Sequence, residues 1–183
     1  VKGSPRDFNR KLFLDFDGVV NTRSRKKDDV HVYQLDKKHF DVYNKALCKN
    51  IELLIKQFDF KIVISSSWRA TFDIISIRDI INNQMGIDCE VIDYTTRRTL
   101  DVTYKERFED NPTTISRNRG LQITDWLLEK KYKVNNYFVL DDSLDAEYGH
   151  SNNYYRVNNT KGFDKETLDD VTNIISKLFN TEH

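Results

Sequence analysis

An apolar stretch near the start of the chain ends in two aspartates and a glycine, and it constrains the fold more than any other feature. Residues 12–21 read LFLDFDGVVN, so Asp15 and Asp17 follow directly on a run suited to a buried strand. Open α/β sheets hold their ligands at the carboxyl ends of parallel strands, and Gly18 permits a sharp turn there. Two carboxylates at one strand end repel each other unless a cation or a shared proton holds them. The stretch therefore predicts a strand end that binds a hard metal ion.

A calcium-binding EF-hand loop also begins with Asp-x-Asp, so this kind of site must be compared with the sequence. Such a loop needs a glycine at its sixth position and a bidentate glutamate at its twelfth. Counted from Asp15, these two positions hold Val20 and Lys26. The sequence therefore excludes an EF-hand loop at this strand end.

The size and composition of the chain predict one packed domain spanning residues 1–183. A hydrophobic content of 38%, with 11 Phe and 9 Tyr, is ample for a core. The 29 basic and 29 acidic side chains cancel, so no global field attracts nucleic acid or a membrane. No apolar run approaches the ~18–20 residues of a membrane span. Cys48 and Cys89 are expected to be reduced thiols, as in a cytoplasmic protein.

Apolar runs alternate with segments of helical spacing along the chain. Strands are predicted at Lys11–Phe16, Phe60–Ser65, Cys89–Asp93, Tyr137–Leu140 and, more weakly, Tyr154–Val157. Apolar faces of four helices are predicted at 40–54, 72–81, 123–127 and 168–179. This order predicts an α/β fold: a Rossmann-like parallel sheet with helices on both faces.

Two segments fit neither the strand pattern nor the helix pattern. Residues 22–34 are rich in Arg, Lys and Asp, and residues 95–114 lack any clear period. Unpatterned segments of this size in a compact domain are usually functional or mobile. We expect the first to form a short basic flap and the second a loop on the substrate side.

Reactive side chains follow three of the predicted strands. Asp15 and Asp17 end the first, the run SSSWR at 65–69 ends the second, and Asp141-Asp142 ends the fourth. Parallel strands place these ends along one edge of the sheet. Hydroxyl and amide groups there can hold phosphate oxygens, and carboxylates on two ends can share a magnesium ion.

These motifs, in this order, resemble those of the haloacid dehalogenase (HAD) superfamily of phosphatases and phosphotransferases. DFDGVVN resembles the first motif of that family, Ser65 the second, and the Asp141-Asp142 pair the fourth. The resemblance spans nearly the whole chain. The segments SSSWR, RNRGLQITDWL and YFVLDDS are most similar to small members related to nucleic-acid end-repair phosphatases.

The resemblance implies a Mg²⁺-dependent phosphomonoester hydrolase that works through an aspartyl-phosphate. Asp15 would be the nucleophile, and Asp17 the general acid that later acts as a base. Asp15, Asp17 and Asp142 would ligate Mg²⁺ with Asp141 in support, although the order of the last two stays open. The metal would remove the repulsion between an anionic nucleophile and an anionic phosphate.

The resemblance also implies residues that bind the substrate. Ser65 would supply the phosphate-binding hydroxyl, with Ser66 as the alternative in register. Arg69 either contacts the substrate or forms a structural salt bridge. The third motif of the family is a cation, and Arg119 at the start of a helix fits it best. Two other cations remain open for this role, Arg117 and Lys105.

The spacing of the motifs leaves no room for the separate cap domain that many relatives insert. An uncapped mouth favours large phosphorylated substrates such as nucleic-acid ends, with nucleotides as a further class. The basic run Arg23, Arg25, Lys26, Lys27 would then lie beside the mouth. Two alternatives stay open: a small-metabolite phosphatase whose flap is a lid, and a catalytically silent binding or adaptor domain. Because Asp17 is retained, the sequence favours an enzyme.

Overall fold

The computed structural model describes residues 10–23, 29–31, 42–96, 118–131 and 136–180. Within these ranges the chain forms seven strands and four α-helices. The strands are β1 (Lys11–Leu14), β2 (Asp29–His31), β3 (Val42–Asn44), β4 (Lys61–Ile64), β5 (Val91–Tyr94), β6 (Tyr137–Asp141) and β7 (Tyr154–Arg156). The helices are α1 (Lys45–Phe58), α2 (Ile74–Asp79), α3 (Arg119–Glu129) and α4 (Lys165–Asn180).

Five of the strands form one parallel sheet in the order β5-β4-β1-β6-β7. The central strand β1 is buried along its whole length, as expected for a parallel sheet covered on both sides. The predicted Rossmann-like α/β fold is therefore confirmed. The described part of the chain contains no separate cap domain.

Alternating side chains of the sheet pack against different helices on its two faces. Leu12, Leu14 and Ile64 face a core shared with apolar residues of α1, α2 and α4. Phe13 and Val63 point the other way, into a smaller cluster with α3. The ring of Phe13 meets the Trp126 ring of α3 edge-on, with 5.3 Å between centroids. Residues of odd number in β1 and β4 therefore face α3, and we call this side of the sheet the α3 face.

The first predicted helix begins later than its apolar spacing indicated. Tyr43 lies in β3, and α1 starts at Lys45 because the side chain of Asn44 caps it by accepting from the N–H groups of Ala46 and Leu47. β3 pairs antiparallel with β2, so residues 29–31 of the expected flap form a strand. The remaining flap residues 24–28 and 32–34, and residues 97–114 of the expected loop, lie outside the described residues.

The second predicted helix is interrupted rather than continuous. Phe72 lies before α2, whose N-terminus is capped by Asp73, and the chain then widens into a π-helical turn at Ile80–Gln84. In the part of the chain that the structure describes, no helix combines the length and the apolar character needed to cross a membrane.

Candidate functional site

The strands of the sheet end level with one another. The backbone N–H groups of Asp15, Ser65 and Thr95 each donate to a carbonyl at the end of the neighbouring strand, those of Leu140, Leu14 and Ile64 respectively, at 2.9 to 3.0 Å. The parallel ladder therefore continues one residue beyond β1, β4 and β5, and Asp141 of β6 is level with Asp15. We call Asp141, Asp15, Ser65 and Thr95 the tip row. Because side chains alternate along a strand, Asp15 and Ser65 lie on the α3 face, as Phe13 and Val63 do.

Three carboxylates meet at one end of the tip row. Asp15, Asp141 and Asp142 each offer an oxygen atom, and these atoms lie within 4.8 Å of one another. Asp15 and Asp141 are fully buried, whereas Asp142 is partly exposed. We call these three residues the acidic cluster. An anionic set of oxygen donors fits a hard cation such as Mg²⁺ and does not suit a soft metal.

The turn after β1 holds Asp142 in place. Gly18 has a φ of +78°, and a Cβ there would lie 2.5 Å from Oδ2 of Asp142. The amide of Asn159 donates to the same Oδ2 at 3.2 Å. The absence of a side chain at Gly18 therefore lets the Asp142 carboxylate lie against the backbone of the first motif.

Arg119 is the cation that the structure brings to the acidic cluster. Its Nη1 pairs with Oδ2 of Asp15 and lies 2.7 Å from Oδ2 of Asp141. Arg119 opens α3, where Asn118 caps the helix and Oδ2 of Asp145 accepts from the Arg119 N–H at 3.2 Å. The other two candidates for this role, Arg117 and Lys105, lie outside the described residues.

Burial and charge set the protonation of the cluster. Burial raises the pKa of Asp15, although Arg119 acts in the opposite direction. Burial, together with repulsion from Asp15, raises the pKa of Asp141 to about 7. Burial disfavours the Arg119 cation, but the two carboxylates more than offset this and raise its pKa. Three acidic groups face one guanidinium, and a further bound cation would favour their ionised forms over the protonated ones.

Asp17 lies away from the acidic cluster. Its Oδ1 accepts from Nδ2 of Asn21 at 3.1 Å and from the Trp68 indole at 3.4 Å, and its Oδ2 accepts from Oγ of Ser67 at 3.4 Å. Among the described residues, the set of carboxylates that converge comprises Asp15, Asp141 and Asp142, without the Asp17 side chain. The first motif therefore supplies one carboxylate to the cluster and one to the turn that follows β4.

The neighbouring residues of the serine run after β4 make different contacts. Ser66 forms a side-chain hydrogen bond with Asp15, and its Oγ accepts from the Trp68 N–H at 3.4 Å. Ser65 is buried, and its hydroxyl has no hydrogen-bond partner among the described residues. Arg69 donates to the carbonyls of Ser65 and Ser66 and to Oε1 of Gln122 in α3. These contacts give Arg69 a supporting position between the serine turn and α3.

A buried histidine, which sequence reasoning missed, anchors the start of α3. Nε2 of His150 is 2.8 Å from the carbonyl of Gly120, which can only accept, so this nitrogen carries the proton. Nδ1 therefore accepts from the Tyr137 hydroxyl at 2.7 Å. Burial lowers the pKa of His150, in agreement with a neutral ring. A histidine without metal-ligand spacing carries no sequence signal for this anchoring role. The segment RNRG shows only that a glycine follows Arg119.

A parallel α/β sheet with an acidic cluster, a serine turn and a basic helix start at its strand ends is the architecture of the HAD class. A family model described as the HAD domain in Swiss Army Knife RNA repair proteins matches residues 11–168. The chain belongs to this family, which confirms the resemblance to HAD proteins related to nucleic-acid end repair. No curated protein sequence matches the chain.

Proposed function

We propose that the protein hydrolyses phosphate monoesters through an aspartyl-phosphate at Asp15. The observation that best supports this proposal is the set of groups around the Asp15 carboxylate: Arg119 pairs with it, and two further carboxylates lie within 4.8 Å. An oxygen of Asp15 bonds to phosphorus while the bond from phosphorus to the leaving oxygen breaks. Water then attacks the same phosphorus, which releases inorganic phosphate and restores the Asp15 carboxylate.

Asp17 moves the protons in this reaction. It first gives its proton to the leaving oxygen and then takes a proton from the attacking water. Asn21, Ser67 and Trp68 all donate to its carboxylate, so they fix its orientation beyond the turn. Its carboxylate lies outside the acidic cluster, so these proton transfers do not use an oxygen of the three carboxylates that converge there.

Cations balance the charge of the substrate. The acidic cluster of Asp15, Asp141 and Asp142 would hold Mg²⁺, with Asp17 retained from the sequence as a further candidate ligand. When bound, Mg²⁺ reduces the repulsion between the carboxylate and the phosphate anion. Arg119 contributes a second positive charge from the helix start, and Ser65, with Ser66 as the alternative, donates to the phosphate oxygens.

We propose nucleic-acid ends as the substrate class. This is supported by the family, whose description names RNA repair proteins, and by the described residues containing no cap over the strand ends. Arg23, the first cation of the basic run, is exposed, and its N–H donates to Asn159, a neighbour of Asp142. A cytoplasmic location fits this role and the two free thiols of Cys48 and Cys89.

A phosphatase screen tests the activity. The panel comprises p-nitrophenyl phosphate, nucleotides, 3′- and 5′-phosphorylated RNA and DNA oligonucleotides, and phosphopeptides, each with Mg²⁺ and with EDTA. We expect phosphate release that needs Mg²⁺ and that Asp15→Asn reduces by many orders of magnitude. An Asp15→Asn protein that is folded and keeps turnover within about tenfold of the wild type would contradict the mechanism. Tight binding of an oligonucleotide without any turnover would identify a silent binding domain.

The basic run decides between a nucleic-acid end and a small metabolite. Replacing Arg23, Arg25, Lys26 and Lys27 by alanine should raise KM for a phosphorylated oligonucleotide and flatten its salt dependence, because fewer counterions are released. Turnover of p-nitrophenyl phosphate should change little, which makes it the internal control. Equal effects on both substrates would indicate a lid over a small-molecule site.

A further inference from the structure

Thr95, the last member of the tip row, carries a buried hydroxyl that is unpaired within the described part of the chain. Its side chain is fully buried, and Oγ1 has no hydrogen-bond partner among the described residues. The hydroxyl of Ser65, the next member of the row, shares this property. Folded proteins pair nearly all buried polar atoms, so each exception needs a physical reason. Two neighbouring exceptions at one end of a sheet suggest a ligand that supplies the missing acceptor.

An irregularity in β5 determines which way Thr95 faces. Ile62 is paired with Val91, but the next residue, Val63, is paired with Asp93, so β5 contains one extra residue at this point. Asp93 lies on the α3 face, because its Oδ2 accepts from the indole of Trp126 at 2.9 Å. Thr95 follows two residues later and points to the same side. If the same residues paired regularly from Val91 onward, without the bulge, Thr95 would point to the opposite face.

The tip row therefore places two hydroxyls side by side, next to the proposed nucleophile. Adjacent strands lie ~4.8 Å apart, so Ser65 is one strand from Asp15 and Thr95 is one strand further. Two donors at this spacing can reach oxygens of the same phosphate group. The burial of both hydroxyls does not exclude this, because Asp15 is equally buried and the phosphoryl group must reach it.

We propose that Thr95 is a substrate-binding residue, which pairs with Ser65 to donate two hydroxyl hydrogen bonds to a phosphate anion. This inference rests on the proposed function for the identity of the anion. Asp141 and Asp142 flank Asp15 on one side, where a cation would be held, and the two hydroxyls flank it on the other side, where the phosphate oxygens would lie. Because the hydroxyls have no acceptor among the residues that the structure describes, phosphate would give them a first hydrogen bond rather than exchange one for another.

Replacing Thr95 by valine separates a binding role from a structural role. Valine keeps the shape of threonine and removes the hydroxyl. An unpaired hydroxyl contributes nothing to stability, so Thr95→Val should melt at the same temperature as the wild type or higher. Calorimetric titration with inorganic phosphate, in saturating Mg²⁺, should show about tenfold weaker binding in Thr95→Val, and Thr95→Ser should retain the wild-type affinity.

A matched control uses a threonine whose hydroxyl is already paired. Oγ1 of Thr124 in α3 donates to the Gly120 carbonyl at 3.0 Å, so Thr124→Val should lower the melting temperature. A lower melting temperature in Thr95→Val would mean that the Thr95 hydroxyl has a structural partner, and would overturn the proposal. Unchanged phosphate affinity in Thr95→Val, or no phosphate binding by the wild type, would overturn it as well.

The two proposals can fail separately. If the wild type hydrolyses a phosphomonoester and Thr95→Val changes neither kcat/KM nor phosphate affinity, the proposed function is supported and the proposed role of Thr95 is contradicted. If no phosphomonoester is hydrolysed but phosphate binding depends on the Thr95 hydroxyl, the phosphate-binding site is supported and the proposed hydrolase activity is contradicted. In the expected case, Thr95→Val lowers kcat/KM about tenfold together with phosphate affinity.

Discussion

At the scale of single residues, the site is a balance between three carboxylates and one guanidinium. Arg119 pairs with Asp15 and Asp141, which are the same carboxylates that would hold a divalent cation. The sequence predicted this aspartate pair and this arginine from their motifs. It could not predict that one nitrogen atom of Arg119 contacts both carboxylates, because that depends on how α3 is placed above the sheet.

Arg119→Gln should bind Mg²⁺ more tightly than the wild type. Removing a positive charge a few ångströms from the cluster removes both its repulsion of the metal and its competition for carboxylate oxygens. Calorimetry should show a dissociation constant for Mg²⁺ that is about tenfold lower than in the wild type. The kcat should fall, because the substrate phosphate loses the positive charge of Arg119.

Arg156→Gln is the matched control for this charge. Nε of Arg156 donates to the backbone carbonyl of Asp142 at 3.1 Å, so the variant removes the same charge near the cluster without touching the paired carboxylates. It should change Mg²⁺ affinity much less than Arg119→Gln. An equal gain in Mg²⁺ affinity in both variants would indicate a general effect of positive charge near the cluster. An unchanged Mg²⁺ affinity in Arg119→Gln would contradict competition between Arg119 and Mg²⁺ for the carboxylate oxygens.

Gly18→Ala should disturb the acidic cluster beyond its effect on the backbone. An alanine with a φ of +78° costs about 1–2 kcal/mol in the free energy of unfolding, and its Cβ would collide with the Asp142 carboxylate. Gly86 offers a control, because its φ is +71° and a Cβ there would meet nothing within 4 Å. Chemical denaturation should show a loss in both variants, but only Gly18→Ala should also weaken Mg²⁺ binding in calorimetry. Equal metal affinities would contradict the role of this close contact.

At the scale of elements, helix α3 carries Arg119 and is fixed at its first turn. Asp145 accepts from the N–H of Arg119, and His150 donates to the carbonyl of Gly120. Gly120 leaves room for this approach, because a Cβ there would collide with the carbonyl of Tyr148. The apolar spacing of Ile123 and Trp126 predicted the helix, but the contacts that set its position come from a loop 26 to 30 residues away in sequence.

His150→Ala should destabilise the protein and flatten the acid side of its stability profile. The pKa of His150 is lowered in the fold, so the folded protein binds fewer protons than the unfolded chain as the pH falls below about 6.5. The stability due to this group is therefore complete above that pH and decreases below it. Urea denaturation at pH 8 and pH 5.5 should show a smaller pH-dependent loss in His150→Ala than in the wild type.

Tyr137→Phe is the companion variant for this network. It keeps the buried ring of Tyr137 and removes the hydroxyl that donates to Nδ1 of His150. Because burial lowers the pKa of His150 and this variant leaves the ring buried, the loss on acidification should persist, in contrast to His150→Ala. A wild-type pH profile in His150→Ala would exclude His150 as the titrating group.

At the scale of the whole molecule, net charge gives no indication of the site, because 29 basic and 29 acidic residues cancel. What the sequence does predict is the parallel sheet, since runs such as 12–14 and 62–64 are apolar on both sides and can only be buried. It also predicts the strand ends at which the aspartates and serines lie. It misses the pairing of β2 with β3, the anchor at His150 and the facing of Thr95, because each depends on contacts between distant segments.

Magnesium should stabilise the folded protein as a whole. A ligand that binds the folded state alone raises the free energy of unfolding by mass action, about 2.7 kcal/mol at a hundred times its dissociation constant. We expect the melting temperature to rise with Mg²⁺, and EDTA to reverse this and to abolish phosphatase activity. Asp142→Asn should reduce the rise, because it removes one charge from the acidic cluster. Full activity in EDTA would contradict a metal requirement.

The extra residue in β5 also has a consequence for how such a chain can diverge. Ile92 and Asp93 together lie opposite Val63, so the bulge and the residue count of β5 together decide which face Thr95 joins. Deleting one residue at Ile92 would leave a regular strand in which Thr95 still lies beside Ser65, whereas losing the bulge at unchanged length would turn Thr95 to the opposite face. Over evolutionary time, we expect this segment either to keep both the bulge and its length or to lose the bulge together with one residue.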